Sequence, residues 1–385
     1  MISKPIPYGK QDITEEDIQQ VITILKSDFL TQGPTIELFE KKFAEYVGCN
    51  YAVAVVNGTA ALHLSTLALN VNESSHVITT PITFVASANC VRYAGGTVHF
   101  SDVKENTILL DIEKTRKLIE SKPNGFFNGI VVVDFAGYPV NLEEYRKLAD
   151  EYGLWIIEDA CHSVGGYFID SKGQKQYCGN GNFADLSVFS FHPVKHIATG
   201  EGGMITTNQK ELYEKLILLR THGITKNPTQ LTKNDGGWYQ EMQVLGFNYR
   251  IPDILAGLGI SQLSRIENNI KQRNEIAKKY NDAFKNVDIR LLPSFEKGRH
   301  AYHLYIIQTK KRKELYDFLR TKNIFSQVHY VPAHLMPYYQ QFGWKKGDLP
   351  VAENYYDQCL SLPIYSSLQI EEQDYVIENV KLFFK

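Results

Sequence analysis

Leu154-Trp-Ile-Ile-Glu158-Asp159-Ala160 is the stretch that decides the fold. Four apolar residues run straight into two acids. A short continuous apolar run of this kind reads as a strand buried on both faces, the strand type of parallel sheets. Its surroundings repeat the pattern. Gly129-Ile-Val-Val-Val133 is a second such run, and between the two Leu142, Tyr145 and Leu148 recur at helical spacing. Further out, Tyr51–Val56 passes through Asn57-Gly58 into a helix over Thr59–Leu69. Val77–Thr80 leads to a helix near Phe84–Tyr93, and Thr97–Phe100 is another strand. Leu186–Phe191 and Gly203–Thr207 follow, then a helix at Lys210–Leu219. This alternation predicts an α/β fold with a mainly parallel sheet flanked by helices.

Beyond the polar, glycine-bearing stretch 225–240, Pro252 predicts the start of one long helix from Asp253 to about Phe284. A strand at Tyr302–Gln308, a helix at Lys313–Lys322 and a closing helix near Glu371–Phe384 complete the chain. The change in rhythm divides it into a large domain, 1–250, with an N-terminal arm, and a smaller α+β domain, 251–385.

Composition narrows the function classes. The 385 residues carry a formal charge of −2, so no global field draws the chain to nucleic acid or membrane. No apolar run approaches the roughly 18 residues a spanning helix needs, and Met1-Ile-Ser-Lys-Pro5 does not open a signal peptide. Five scattered cysteines without a Cys-x-x-Cys predict free thiols in a reducing cytoplasm, and no metal centre is expected.

In open α/β sheets, ligands sit beyond the carboxyl ends of the strands. Three segments fall there. Asn57-Gly58-Thr59-Ala-Ala61 is a strand-to-helix turn whose N–H groups would bind a phosphate, unless it is a plain helix cap made by Thr59. Asp159 ends an apolar strand and needs a partner, either a protonated ring nitrogen, an arginine or a helix end. Lys195, in Ser190-Phe-His-Pro-Val-Lys-His196, lies between two strands and beside Gly200, Gly202 and Gly203. Burial there would lower its amine pKa and make it nucleophilic. An acid and an amine so arranged suit an aldehyde-bearing pyridine cofactor: the carboxylate keeps the ring protonated and the lysine closes a Schiff base. His192 and His196 have the spacing of a helical metal pair, but Pro193 argues against a helix. Gly179-Asn-Gly181-Asn-Phe-Ala184 fits a dinucleotide-binding pattern in the wrong context, before a strand, and is read as a surface turn. His329-Tyr-Val-Pro-Ala-His334-Leu-Met-Pro337-Tyr-Tyr339 is either a packed aromatic loop or a substrate wall.

These segments, with Leu30-Thr-Gln-Gly-Pro34, Thr83-Phe84 and Gly246-Phe-Asn-Tyr-Arg250, resemble the DegT/DnrJ/EryC1/StrS nucleotide-sugar aminotransferases, of fold type I. The likeness is spread over nearly the whole chain. Val328-His-Tyr-Val-Pro332 and Leu360-Ser-Leu-Pro-Ile-Tyr365 look most like the branch that serves pseudaminic acid synthesis. The resemblance implies pyridoxal 5'-phosphate as cofactor, passing through pyridoxamine 5'-phosphate. L-glutamate would be the donor, giving 2-oxoglutarate, and a UDP-4-keto-6-deoxy-N-acetylhexosamine of the L-altrosamine type the acceptor. It implies Lys195 as the catalytic residue, Asp159 at the ring nitrogen and Phe84 stacked on the ring. His162, where many relatives carry glutamine, would lie near the ring hydroxyl. Gly58, Thr59 and Ser190 would hold the phosphate, with Asn248 supplied by a neighbouring subunit of a homodimer. Tyr8, Leu30, Thr31, Gln32, Gly33, Gln327, Val328, His329 and Tyr330 would meet the substrate. Other UDP- or dTDP-4-ketohexoses remain alternative acceptors. Dehydratases of the same fold carry histidine at the lysine position, which Lys195 argues against; a non-catalytic sensor is disfavoured by the retention of Lys195, Asp159 and the phosphate turn together.

Overall fold

The computed structural model describes residues 4–385. Its central sheet has seven strands: β1 (Tyr51–Val55), β2 (His76–Thr79), β3 (Thr97–Phe100), β4 (Gly129–Val133), β5 (Trp155–Asp159), β6 (Leu186–Ser190) and β7 (Gly203–Thr207). Their order across the sheet is β1-β7-β6-β5-β4-β2-β3. Six strands share one direction and β7 is reversed, antiparallel to both β1 and β6. The reversal follows from the connection. Residues 191–202 form a loop without a helix, so the chain returns beside β6 as an antiparallel partner. Both β4 and β7 are buried along their whole length, as β-branched runs covered on two faces must be.

The predicted long helix is two, Asp253–Ser264 and Ile266–Phe284, broken at Arg265 (φ −113°, ψ 11°). The helical periodicity continues across the break, but the Arg265 guanidinium is drawn to Asp12 at 3.1 Å and Asp17 at 2.5 Å. The strand predicted from Tyr302 begins at Tyr305, because Tyr302 itself sits at φ 49°, outside extended backbone.

Three apolar clusters fill the molecule. One surrounds the sheet. A second binds helix Pro34–Val47 to Asp253–Ser264 through Phe39, Phe43, Ala256 and Leu263. The third joins Tyr280, Phe284, Tyr305, Leu315, Leu360 and Val380. Helix Ile266–Phe284 contributes Ile270 to the second cluster and Tyr280 to the third, so the core changes within this helix. Dividing the chain at residue 250 separates Asp253–Ser264 from the N-terminal elements it packs against. In the C-terminal part, Arg290–Leu291, Tyr305–Gln308 and Cys359–Leu362 form an antiparallel sheet, with helix Arg312–Thr321 packed against closing helix Ile370–Phe383.

The turn at Gly179–Gly181 lies deeper than a surface turn. Cys178 and Asn180 are buried, and the Gly179 N–H donates to Glu158 Oε2 at 2.9 Å. That buried carboxylate draws the turn inward. Among the described residues, no helix is long and apolar enough to cross a membrane.

Candidate active site

The site is built where β1, β5 and β6 end. After β1 the chain turns into helix Gly58–Ala68, capped by Asn57, whose Oδ1 accepts the Ala60 N–H at 2.8 Å. The cap is therefore Asn57, not Thr59. An N-cap residue leaves the first N–H groups of its helix without intrahelical partners, here those of Gly58 and Thr59, at the positive end of the helix dipole. Ser190, the last residue of β6, lies opposite. A Cβ on Gly58 would approach the Ser190 Cβ to 3.0 Å, and one on Gly203 would lie 2.5 Å from the Asn57 carbonyl oxygen. Small residues keep this cradle open.

Asp159 ends β5 and is 5% exposed. Its Oδ2 accepts the Ser87 hydroxyl at 2.5 Å and its Oδ1 the Cys161 N–H at 3.2 Å. Among the described residues, no lysine, arginine or histidine forms a salt bridge with it, which removes the arginine-pair reading and leaves acceptor capacity toward the cavity. Phe84 hangs over the same space with 58% of its surface exposed, an unusual position for so apolar a ring unless something flat lies against it.

Lys195 projects from the 191–202 loop. Hydrogen bonds from Phe191 N–H to Gly202 O and from Thr199 N–H to Phe191 O close the loop, and His196 Nε2 anchors it to the Ala301 carbonyl at 2.8 Å. His196 is thereby structural and buried, while His192 is exposed at the cavity, so the two make no metal pair. Lys195 Nζ lies 3.2 Å from His303 Nε2. Burial lowers the amine pKa to about 8 and Arg273 adds to this, while Cys161 and Asp159 pull it upward.

His162 is 4% exposed. Its Nδ1 accepts the Ala136 N–H at 3.2 Å, so the ring proton must sit on Nε2, which faces Tyr330 Oη at 3.4 Å. Burial, reinforced by the Lys195 charge, keeps the imidazole well below its ordinary pKa and neutral. His162 thus offers a fixed N–H donor.

A single cavity of about 400 Å³ is lined by Gly58, Thr59, Phe84, Asp159, His162, Ser190, Lys195, Tyr8, His329 and Tyr330. A flat pyridine ring with a phosphate at one end fits this set. Free helix N–H groups, a carboxylate without a cation, an amine and an uncovered aromatic face meet in one open cavity. Tyr8 is brought in because Ile6–Pro7 pairs with Ile324–Phe325 and the Tyr8 carbonyl accepts the Ile364 N–H at 3.0 Å. The remaining expected contacts lie elsewhere. Gln327 is tied to Ser361 through its backbone, and Val328 packs against the core. Leu30, Thr31 and Gln32 are exposed, the Gly33 N–H donates to Asp253 Oδ2 at 2.8 Å, and Asn248 is exposed beside Thr221. None of these lines the cavity of its own chain. Sequence reasoning missed His303, Cys161 and Ser87. Cys161, two residues after Asp159, was the one within reach of a local argument.

The sequence pattern of the DegT/DnrJ/EryC1/StrS aminotransferase family matches residues 11–381. The spore coat polysaccharide biosynthesis protein SpsC of Bacillus subtilis is 37% identical, over 98% of this chain and 96% of its own. The UDP-4-amino-4,6-dideoxy-N-acetyl-beta-L-altrosamine transaminase of Campylobacter jejuni is 34% identical, over 97% and 96%. Among solved structures, Helicobacter pylori PseC, an aminotransferase involved in the biosynthesis of pseudoaminic acid, superposes with a TM-score of 0.88 at 32% identity, covering 99% of both chains.

Proposed function

The chain belongs to the DegT/DnrJ/EryC1/StrS aminotransferase family, and on that premise we propose that it moves the amino group of L-glutamate onto C4 of a UDP-4-keto-6-deoxy-N-acetylhexosamine. It is a pyridoxal-phosphate-dependent sugar aminotransferase. We take the acceptor to be the L-altrosamine type and the product a precursor of pseudaminic acid. The named activities of the Campylobacter and Helicobacter relatives support this choice.

When bound, the cofactor supplies an electron sink for the pair left behind as a substrate carbon loses its proton. The protein's part is to hold and to move protons. Asp159 would keep the ring nitrogen protonated, its charge held in place by Ser87 and the Cys161 N–H. The Gly58 and Thr59 N–H groups and Ser190 would take the phosphate. His162 would donate from Nε2 to the ring hydroxyl, and Phe84 would cover the ring face. Lys195 would hold the resting cofactor; once displaced, its amine would take the proton from the glutamate α-carbon, and in the second half-reaction deliver one to sugar C4. Leu30, Thr31, Gln32 and Asn248, which are exposed on their own chain, would act on the cavity of a second copy together with the adjoining Gly33. The site would then be complete only in a homodimer.

One observation carries the reading: the Lys195 amine and the Asp159 carboxylate face a single cavity at the N-terminus of helix Gly58–Ala68. A sensor would not need a lysine kept close to neutrality. The test is purified protein, glutamate and a panel of UDP-, dTDP- and GDP-linked 4-ketohexoses, with products resolved by mass spectrometry and NMR. Preferential amination of the UDP-L-altrosamine-type ketone is expected. Preference for another ketohexose would move the assignment to that sugar, and no amination of any would end it.

A further inference from the structure

We propose that His303 is the positioning residue for the Lys195 amine whenever that amine is not covalently engaged. It accepts one N–H at Nε2 and so leaves the nitrogen's free side turned to the cavity. This rests on the aminotransferase reading above, and it adds a second residue to the proton-moving device.

The geometry leaves His303 as the one histidine free for this task. Lys195 is surrounded by charged and titratable groups: Asp159 and Cys161 at the end of β5, His162 beyond them, His196 in its own loop, His303 and Arg273 from the C-terminal half, and His329 and Tyr330 on the far wall. His162 has both ring nitrogens engaged, with Ala136 and Tyr330. His196 spends Nε2 on the Ala301 carbonyl, and His329 spends Nδ1 on Ser361. His303 alone points a ring nitrogen at Nζ, at 3.2 Å, and it is the hydrogen-bond partner Nζ has among the described residues.

Its other nitrogen is informative. His303 is 4% exposed, and Nδ1 is buried without a partner among the described residues. An ammonium has three donors and no acceptor, so Nε2 must be bare to receive one of them, and the imidazole proton then sits on Nδ1. The fold tolerates that unpaired N–H as the cost of presenting a lone pair to the lysine. The backbone before the ring is fixed: Arg273, buried and without a carboxylate partner among the described residues, donates to the Tyr302 and Ile364 carbonyls at 3.1 Å. A neutral acceptor suits the purpose. A carboxylate here would bind the ammonium strongly and keep it protonated, whereas an imidazole orients the amine and lets it release its proton near neutral pH.

The test begins on cofactor-free protein. Histidine-selective ¹⁵N NMR of the wild type at pH 7 should show His303 with its proton on Nδ1 and Nε2 as acceptor. Finding the proton on Nε2 would overturn the proposal. Site-resolved acylation of Lys195 against pH, read by mass spectrometry, should show a lower midpoint in His303→Leu, because the ammonium loses its acceptor. His303→Asn, with an amide oxygen, should restore most of the difference. In the loaded enzyme the glutamate half-reaction should slow about ten- to hundredfold in His303→Leu with KM within about twofold, and its pH profile should move with the acylation midpoint. Wild-type midpoint and rate in His303→Leu would also refute the assignment. If that variant does not fold, the wild-type tautomer decides. If the sugar reading fails instead, the cofactor-free measurements still stand.

Discussion

Ser87 donates its hydroxyl to Oδ2 of Asp159 at 2.5 Å, joining helix Ala86–Tyr93 to the end of β5. The Thr83 hydroxyl lies 2.7 Å from Ser87 Oγ and extends the chain of hydrogen bonds. A hydrogen bond to a carboxylate fixes its direction. Ser87→Ala should therefore weaken pyridoxal-phosphate binding about tenfold, the effect of losing one charge-assisted bond of about 1.5 kcal/mol. Asp159→Asn should cost far more, because the ring nitrogen loses its anion. Absorbance titration of cofactor-free protein measures both. Equal affinity in wild type and Ser87→Ala would mean that Asp159 is held by the fold alone.

Lys195 makes a stability prediction with a definite sign. Its folded-state pKa, about 8, lies below the ordinary lysine value near 10.4, so the unfolded chain binds the extra proton between those limits. Burying the charged amine is a penalty at pH 7 that disappears as pH rises from about 8 to about 10.4. Cofactor-free Lys195→Met should be more stable than wild type at pH 7, by roughly 1–3 kcal/mol, while being inactive. The gap should close toward pH 10. Thermal unfolding of both proteins across that range checks it, and a gap that widened with pH would contradict the burial.

Much of this site was readable before folding because its parts stand at strand ends. The runs Gly129–Val133, Thr97–Phe100 and Gly203–Thr207 are observed as strands with those bounds, since short β-branched stretches between turn residues have few alternatives. Asp159 and Lys195 follow from that frame. Ser87 and His303 do not. They reach Asp159 and Lys195 from 72 and 108 residues away, and no local pattern marks a serine or histidine that tertiary packing will aim at a carboxylate or an amine. The break at Arg265 was invisible for the same reason, its cause lying with Asp12 and Asp17. Leu30 to Gly33 came from family likeness, and nothing in their own chemistry pointed to a site.

Behind Asp159, Glu158 and Asp134 are buried together, with Cys178 close by. Ser187 and the Gly179 N–H donate to Glu158; Ser163 and the Val140 N–H donate to Asp134. Two buried carboxyls so close cannot both ionise cheaply, and burial with the Asp134 charge holds Glu158 well above the carboxylate range. The folded pair thus keeps a proton that the unfolded chain releases above about pH 4.3, so stability falls as pH rises from there. Glu158→Gln keeps an acceptor for Ser187 and gains a donor toward Asp134 without needing that proton. Its unfolding temperature should decline less between pH 5 and 8 than the wild type's and exceed it at pH 8. A steeper decline in the variant would show that Glu158 is ionised in the fold.

Gly58 and Gly203 lie on either side of the Asn57 turn, and they should respond differently to the same added methyl. At Gly203 a Cβ would sit 2.5 Å from the Asn57 carbonyl oxygen and 2.9 Å from the Gly58 nitrogen, both backbone atoms that cannot move without opening the β1–β7 pairing. Gly203→Ala should therefore destabilise the protein by about 3 kcal/mol, at the upper end of overpacking costs. At Gly58 no backbone atom obstructs: Ser190 Oγ at 3.3 Å and Cys161 Sγ at 3.4 Å can turn aside, and only Ser190 Cβ at 3.0 Å, fixed to the end of β6, requires a small shift of the helix. Gly58→Ala should lose little stability in the cofactor-free state. The loss should instead appear in affinity for pyridoxal phosphate, since the methyl narrows the space beside the free N–H groups and pushes on Ser190. Denaturant unfolding of the cofactor-free variants, set beside their cofactor titrations, separates the two effects. Equal stability losses would mean that the Gly58 side of the cradle is as rigid as the strand side.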